Sequence, residues 1–379
     1  ITMKIDMITL HRAQNYGSVL QAFALQKKME EIGHEVRVLD YHPERYTNKG
    51  WLRRLKNKSP KFKNPFILFV AKIMIYPSYL RKGWVFNTFL NKYMNLTRFK
   101  FDTNEVAKQL KMKEADAYCT GSDQVWNSFW NEGVEKALFL DFVPKNKLIF
   151  SYAASIGLSE LPVDEVDIIR LLLDKYEYLS VREDTGVKIL HELGRTDTIQ
   201  CLDPTLLMTK EEWSYYADDR YEGEQYILTY NLHHDLEVDR YAFTLSHKYG
   251  IPIWNISYNW HDFIRKGHLC WCPSVEKFLG LIKYARFVIA DSFHATVFSI
   301  IFERQFVTIT PEVASSRVSS ILNLLGISER NLCKFVDTSI IETPIDYQSV
   351  KRRLLYERQI SMNYLRMVTA SKNSFTHNR

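Results

Sequence analysis

The first 41 residues alternate between strand-like and helix-like patterns. Residues 3–10, "MKIDMITL", form an apolar run, and the turn "HRAQNYGS" at 11–18 follows them. Residues 19–33 then carry apolar side chains at helical spacing and end at Gly33, which suits a helix C-cap. The run "HEVRVLDY" at 34–41 is typical of a second strand. A β-α-β opening predicts a parallel sheet, with functional residues in the loops that follow the strands.

The same alternation continues along the chain and predicts an α/β fold with two Rossmann-like domains facing a cleft. A chain of 379 residues exceeds the usual size of one hydrophobic core, and its 46% apolar residues suffice for two. We expect a first domain over residues 1–208 and a second over 209–340. Residues 341–379 form the terminal segment after these two domains. Its residues indicate a long helix most clearly over 347–368.

A basic and aromatic segment, residues 45–101, interrupts the first domain. It holds 14 Lys and Arg and no Asp or Glu, so the rest of the chain has 50 − 14 = 36 basic against 44 acidic residues. Lys and Arg interleaved with Trp, Phe and Tyr are typical of a surface that lies on anionic lipid. The alternative is a solvated insertion that packs a helical hairpin on the first domain. No nucleic-acid-binding motif accompanies the charge, so we expect no nucleic-acid partner.

Several other features bear on location and metal binding. No apolar run reaches the length of about 18 residues that a transmembrane helix needs, and the first residues do not resemble a signal peptide. We therefore expect a cytoplasmic protein, peripheral at the inner face of the membrane if residues 45–101 dock on lipid. The five cysteines are mostly scattered, and Cys270 and Cys272 are spaced too closely for a zinc knuckle, so we expect no metal site.

Six segments follow one another along the chain: "MITLHRAQNYGSVLQAFALQ", "GSDQVWN", "SYAASIG", "SVREDTG", "LDPTLL" and "ADSFHATVFSIIF". Taken in this order, they resemble the polysaccharide pyruvyl transferase family, and the resemblance extends from about residue 3 to 330. It implies transfer of the pyruvyl group of phosphoenolpyruvate onto sugar hydroxyls as a ketal, with a sugar or lipid-linked oligosaccharide as acceptor and no separate cofactor. It also implies a GT-B-like fold whose C-terminal helix crosses back to the first domain.

Phosphoenolpyruvate carries a carboxylate and a phosphate, and the planar guanidinium of arginine binds either group through two hydrogen bonds. Arg182 follows an apolar strand and matches the arginine that the family uses near its donor. An ion pair with Glu183 or Asp184 is the alternative interpretation. Arg317 matches a donor-binding basic residue of the family more loosely, and it could equally be an ordinary surface arginine.

The reaction also needs a proton for the methylene carbon of the donor, and histidine titrates near neutrality. His294 follows the strand-like run "RFVIADS", begins a helix and matches the histidine of the family motif. Its predicted role is general acid or phosphate ligand, and the alternative is a residue that only caps the helix. Ser292 stands where well-studied members have an arginine. Either another cation takes the place of that arginine in donor binding, with Arg317, Arg12 and Lys210 as candidates, or the donor is a molecule other than phosphoenolpyruvate.

The loop "GSDQVWN" follows another strand candidate and supplies polar groups. Asp123 could accept a proton from an acceptor hydroxyl, or it could merely cap the following turn. Glycine and serine at this position let the backbone approach a ligand closely. Together with the first loop, this segment gives the predicted acceptor-binding set, which is Asn15, Gly17, Gly121, Ser122, Gln124 and Asn127.

Two other functions remain open. A GT-B glycosyltransferase using a nucleotide sugar would share the fold, although no E-x(7)-E pattern occurs within residues 290–325. A non-catalytic glycan-binding relative would also share it, and the departure at Ser292 favours that alternative.

Overall fold

A computed structural model describes residues 2–110, 115–310 and 316–370. The first lobe contains a parallel five-stranded sheet in the order β3-β2-β1-β4-β5. Single bridges from Phe150 to Tyr178 and from Ala154 to Val181 attach two short strands beyond β5. The strands are β1 Lys4–Ile8, β2 Glu35–Tyr41, β3 Leu96–Phe101, β4 Ala117–Thr120, β5 Leu148–Ser151, β6 Ser180–Val181 and β7 Ile199–Gln200.

The second lobe contains a parallel six-stranded sheet in the order β10-β9-β8-β11-β12-β13. Both sheets therefore have the same order, because each first strand lies between its second and its fourth. This is the doubly wound arrangement, in which ligands bind where the strand order reverses. The strands are β8 Ile227–Tyr230, β9 Ile253–Ser257, β10 His268–Trp271, β11 Phe287–Ala290, β12 Gln305–Ile309 and β13 Asn331–Leu332.

Helices cover the faces of both sheets. The strands β4, β5, β8 and β11 are buried at every position, as expected for parallel strands between two helical layers. The helices are α1 Tyr16–Glu31, α2 Asn48–Lys58, α3 Pro65–Tyr93, α4 Asn104–Gln109, α5 Ser128–Asn131, α6 Val166–Leu173, α7 Asp184–Glu192, α8 Pro204–Leu207, α9 Lys210–Tyr216, α10 Leu236–Tyr249, α11 Val275–Tyr284, α12 Phe293–Ile301, α13 Ser316–Leu325, α14 Ser339–Glu342 and α15 Tyr347–Ala370.

The predicted alternation is confirmed, with two local differences. Helix α1 begins at Tyr16, three residues earlier than predicted, because the Asn15 side chain accepts a hydrogen bond from the Ser18 amide and caps it. Residues 96–101, assigned to the basic insertion, instead form β3 at the sheet edge. Their alternation, with Arg98 and Lys100 exposed, is that of an edge strand.

The C-terminal helix α15 returns to the first lobe, as the resemblance implied. Tyr364 donates a hydrogen bond to the Ser151 carbonyl at 2.8 Å, and the Arg358 guanidinium donates to the Met208 carbonyl at 2.9 Å.

Residues 371–379 of the predicted terminal segment lie outside the described residues. The predicted domain boundary at 208 falls between α8 and α9, the one at 340 falls within α14, and both stay predictions. No described helix combines the length and the apolar character that crossing a bilayer requires.

Helix α1 holds the two lobes together. Its residue Tyr16 is fully buried and stacks on Phe278 of the second lobe, with ring centroids 4.1 Å apart. The Tyr16 hydroxyl donates a hydrogen bond to the carbonyl of Pro273 at 2.7 Å. One apolar cluster includes residues of β1, α1, α11 and α12, so the lobes share a continuous core.

We therefore predict that Tyr16→Ala lowers the free energy of unfolding by about 3–5 kcal/mol, because it removes a buried ring and leaves a cavity between the lobes. Tyr16→Phe keeps the stacked ring and loses one hydrogen bond, which is worth about 1 kcal/mol. Urea denaturation followed by fluorescence measures both. Equal effects of the two substitutions would contradict the central role of the ring.

Candidate active site

Loops from both lobes meet where each strand order reverses. In the first lobe, the loop after β1 leads into α1 and its second residue, Gly17, the loop after β4 brings Asp123 to this point, and Arg182 directly follows β6. In the second lobe, β11 ends at Ala290, and α12 begins at Phe293 with His294 in its first turn. The side chains predicted for catalysis and donor binding therefore lie at the carboxyl ends of strands.

The ring of His294 lies directly against the backbone of Gly17. A Cβ atom built at Gly17 would be 1.9 Å from Nδ1 of His294, which is far inside van der Waals contact. Only glycine therefore allows the first turn of α1 to approach the ring this closely. His294 is 8% exposed, and its Nε2 has no hydrogen-bond partner among the described residues. The ring thus lies at the junction of the lobes, and no hydrogen bond from Nε2 supports a purely capping role.

The closest acidic group to this ring is Asp203, which the sequence analysis did not assign. Its Oδ2 is 3.5 Å from Nε2 of His294 and accepts a hydrogen bond from Arg182 at 2.7 Å. Its Oδ1 accepts hydrogen bonds from the amide and the hydroxyl of Thr205. Burial alone would raise the pKa of Asp203, but the charges of His294 and Arg182 outweigh it and hold that pKa well below its usual range. Asp203 is therefore an anion that faces both Arg182 and the ring of His294.

A signal for Asp203 was present in the motif "LDPTLL". An aspartate before proline at the end of a strand is a typical helix N-cap, and Asp203 does cap α8. The capping bonds engage only Oδ1, which leaves Oδ2 free for Arg182 and His294. The sequence shows the cap, but the partners of Oδ2 come from distant parts of the chain.

Arg182 is buried and only partly satisfied. Its Nε and Nη2 atoms have no hydrogen-bond partner among the described residues. Nη2 is 3.9 Å from Asp123 and Nε is 3.9 Å from Glu183, both beyond hydrogen-bond distance. Burial would lower the pKa of Arg182, but the carboxylates around it raise that pKa above its ordinary value. The predicted alternative, an ion pair with Glu183, is therefore at most a long contact, and Asp203 is the main partner.

Arg317 lies on the same aromatic ring as Arg182. The Arg182 and Arg317 guanidinium carbons are 4.6 and 5.8 Å from the centroid of Phe293. Burial, followed by repulsion from Arg182, lowers the pKa of Arg317 to about 10. Two like charges held this close favour an anion between them. Phe293 was not assigned from the sequence either.

The other two candidate cations lie elsewhere. Arg12 donates hydrogen bonds to Asp40 and Asn87, and Lys210 pairs with Glu303 at 3.1 Å. Ser292 occupies the N-cap position of α12, but its side chain makes no capping hydrogen bond. Of the three candidates, Arg317 is therefore the one beside Arg182.

Asp123 is held in the same cluster by a strained backbone with φ of +74°. One carboxylate oxygen accepts a hydrogen bond from the hydroxyl of Ser18, and the other accepts from the amide of Gln124. The bond from the Gln124 amide is the predicted turn-capping contact. The bond from the Ser18 hydroxyl directs the carboxylate towards α1, beside Gly17.

The acceptor-binding set is divided between the cleft and the protein interior. Gly17 faces the cleft beside His294, and Asn15 caps α1 through Ser18. Ser122 is fully buried, and its hydroxyl donates to the carbonyl of Ala153. The remaining members also contact the protein itself: Gly121 packs against Thr9, and Asn127 donates to Gln124 at 2.7 Å, next to Gly157.

Glu183 has a second oxygen that no described group binds. Its Oε1 accepts hydrogen bonds from Ser155 and from the amides of Ile156 and Gly157, whereas Oε2 is buried without a partner.

The opening beside the two arginines, lined also by Asp203 and Phe293, has a volume of about 10 Å³, which suits a single water. Within the described ranges, no group of three His, Cys, Asp or Glu residues could hold a metal ion.

The contact between Gly17 and His294 yields a prediction. Gly17→Ala forces the ring of His294 out of its position, so we expect a loss of about 1–3 kcal/mol in the free energy of unfolding, which is the usual effect of overpacking. Gly83→Ala is the matched control, since a Cβ there meets nothing closer than 3.8 Å and alanine favours a helix interior. Urea denaturation should therefore give opposite signs for the two variants. A neutral Gly17→Ala would contradict this geometry.

The solved structures that resemble this chain include UDP-N-acetylglucosamine 2-epimerases. A putative UDP-N-acetylglucosamine 2-epimerase from Listeria monocytogenes is 9% identical, with a TM-score of 0.54 and coverage of 100% of this chain and 98% of that one. The UDP-GlcNAc 2-epimerase from Neisseria meningitidis bound to UDP-GlcNAc is 10% identical, with a TM-score of 0.51 and coverage of 98% and 99%. These likenesses confirm the predicted GT-B-like fold.

No curated protein sequence matches the chain significantly. The family model described as polysaccharide pyruvyl transferase matches residues 15–312, which include His294, Arg182, Asp203 and Asp123. This match covers most of the chain and confirms the resemblance stated above. The chain belongs to the polysaccharide pyruvyl transferase family, a family of transferases.

Proposed function

We propose that the protein transfers the pyruvyl group of phosphoenolpyruvate onto two hydroxyls of a sugar in a polysaccharide or its lipid-linked precursor. One observation carries the proposal. Arg182 and Arg317 contact the same ring of Phe293, and Arg182 shares an oxygen of Asp203 with His294. A dianionic donor bound by the arginines therefore lies beside the imidazole.

The donor fits the charge and the free hydrogen-bond donors of the cleft. Nε and Nη2 of Arg182 are available to a carboxylate or a phosphate, and Arg317 supplies a second guanidinium. Arg317 then substitutes for the arginine that the family has at the position of Ser292. Binding of the anion relieves the repulsion between the two cations, so donor affinity depends on both.

His294 acts as the general acid in this mechanism. Its ring gives a proton to the methylene carbon of phosphoenolpyruvate, which leaves an oxocarbenium-like centre at the adjacent carbon. A sugar hydroxyl attacks that carbon and loses its proton. The bond to the phosphate oxygen then breaks, a second hydroxyl attacks and loses its proton, and the products are the ketal and inorganic phosphate. The Asp203 carboxylate stabilises the positively charged ring before the first step.

Asp123 is the proposed base for the acceptor hydroxyl. It lies 3.9 Å from Arg182 and holds the hydroxyl of Ser18 on α1, so an acceptor hydroxyl that displaces Ser18 would meet a carboxylate. Two adjoining cavities of about 210 and 220 Å³ lie along the loop that leads to Gly17, and both are lined by Gln14, Tyr46 and Tyr79. Aromatic faces of this kind stack on pyranose rings.

Donor entry requires the site to open. The space beside the arginines, about 10 Å³, is smaller than a three-carbon phosphate ester. The arginines belong to different lobes, so a small separation of the lobes widens this space. We infer that the described arrangement is the closed one.

Ligand-induced stabilisation tests the donor. Phosphoenolpyruvate at about 100 times its Kd should stabilise the protein by about 2.7 kcal/mol, which raises the melting temperature by a few degrees. Arg317→Gln should abolish most of this increase, whereas Arg170→Gln, which changes an exposed arginine of α6, should leave it intact. Stabilisation by UDP-GlcNAc and none by phosphoenolpyruvate would instead favour a nucleotide-sugar enzyme.

The catalytic role of His294 is tested by phosphate release from phosphoenolpyruvate in the presence of a glycan acceptor. We expect His294→Ala to lower kcat at least 100-fold, the usual contribution of a general acid. His247→Ala, in the exposed part of α10, is the matched control and should leave turnover unchanged. Unchanged turnover of His294→Ala would eliminate the mechanism.

A further inference from the structure

Helix α3 exposes an apolar face that no described residue covers. The side chains of Phe66 and Phe69 are 72% and 61% exposed, although burial is the usual state of phenylalanine. The exposed face continues along the helix at intervals of three and four residues, so it forms one stripe. Its members are Phe66, Phe69, Val70, Ile73, Leu80 and Trp84, with Ile67, Met74 and Tyr76 beside them. We call this set the α3 stripe.

The second lobe extends the α3 stripe. The amide of Trp260 donates to the hydroxyl of Ser78 at 3.0 Å, and the Trp260 ring stacks with Phe263. Phe263 and Ile264 are themselves 61% and 78% exposed. An exposed apolar surface of this extent, contributed by two lobes, marks an interaction site.

The charge near the stripe identifies its partner. Lys49, Arg54 and Lys56 of α2 and Lys61 after it are exposed, and none pairs with a carboxylate among the described residues. Trp51 of α2 contacts Tyr79 of α3 with ring centroids 5.4 Å apart, so these cations lie next to the stripe. Apolar side chains flanked by unpaired lysines complement a bilayer containing anionic lipid, where acyl chains lie beneath negative headgroups.

The C-terminal half of α3 is fixed to the protein on the side opposite the stripe. Val85, Phe86 and Phe89 are buried in the shared core, and Arg81 donates to the Cys272 carbonyl of the second lobe. This half of the helix therefore stays on the protein while the stripe faces outwards.

We propose that the α3 stripe, with Phe263 and Ile264, rests on the surface of an anionic lipid bilayer while the other face of α3 stays packed between the lobes. Vesicle binding requires neither donor nor acceptor. Failure of this inference would therefore leave the proposed reaction untouched, and failure of the reaction would leave this inference standing.

Sedimentation with vesicles tests the proposal. The wild-type protein should bind vesicles of equimolar phosphatidylcholine and phosphatidylglycerol, bind phosphatidylcholine vesicles far less, and be released as salt screens the charges. A triple substitution in the stripe should weaken binding at least tenfold, whereas a control triple at equally exposed leucines should not. The stripe variant is Phe66→Ser, Phe69→Ser, Ile73→Ser, and the control is Leu171→Ser, Leu236→Ser, Leu355→Ser.

A charge variant tests the electrostatic part without altering any apolar side chain. Each lysine removed near the stripe should weaken binding about fivefold, and lysines removed elsewhere should have no effect. The variant is Lys49→Gln, Lys56→Gln, Lys61→Gln, and its control is Lys145→Gln, Lys188→Gln, Lys334→Gln. Because these side chains are exposed, all variants should keep the thermal midpoint of the wild type.

Three results would overturn the proposal. The first is no binding to anionic vesicles, and the second is equal binding by the stripe variant or the charge variant. The third is a dimer in solution that the stripe variant, but not its leucine control, converts to a monomer. That outcome would show that a second copy of the chain covers the stripe.

Discussion

The negative charge of Asp203 is the constraint on which the rest of the site depends. It belongs to the first lobe, yet the same oxygen faces Arg182 of that lobe and His294 of the other. Thr205 fixes the second oxygen and prevents the carboxylate from turning. Removing one member of a buried ion pair costs about 3–5 kcal/mol, because the remaining charge loses its partner. The position of His294 relative to Arg182 therefore follows from one short turn between β7 and α8.

The site also retains polar atoms that folding alone would satisfy. Within the part of the chain that the structure describes, Arg182 has two unpaired nitrogens, Glu183 has one unpaired oxygen, and Nε2 of His294 has no hydrogen-bond partner. Buried polar atoms without partners are costly, and proteins concentrate them where a ligand binds. The unpaired atoms of Arg182 and His294 lie here beside one aromatic ring, Phe293, and belong to both lobes. The unpaired nitrogens of Arg182 are hydrogen-bond donors suited to an anion, whereas the unpaired oxygen of Glu183 suits a hydrogen-bond donor.

The sequence predicted the fold well because the fold follows from local patterns. Apolar strands alternating with amphipathic helices determine a parallel sheet, and His294 and Arg182 could be placed at strand ends from that pattern alone. Asp203 could not, because its local environment explains it as a helix cap and its second role depends on residues about 20 and 90 positions away. Ser122 shows the opposite case, in which a residue predicted to bind the acceptor instead lies in the protein interior. It follows a strand, but its hydroxyl turns inwards to Ala153, and no local pattern reveals that direction.

Helix α3 connects the proposed membrane surface to the site through direct contacts. Lys82 lies over the ring of Tyr258 at 4.6 Å, and the Tyr258 hydroxyl accepts a hydrogen bond from the amide of Tyr16. The next residue is Gly17, whose backbone supports the ring of His294. The same helix lines the 210 Å³ cavity proposed for the acceptor. A protein seated on lipid through the outer face of α3 would therefore hold this cavity on the helix that contacts the bilayer, which suits a lipid-linked acceptor.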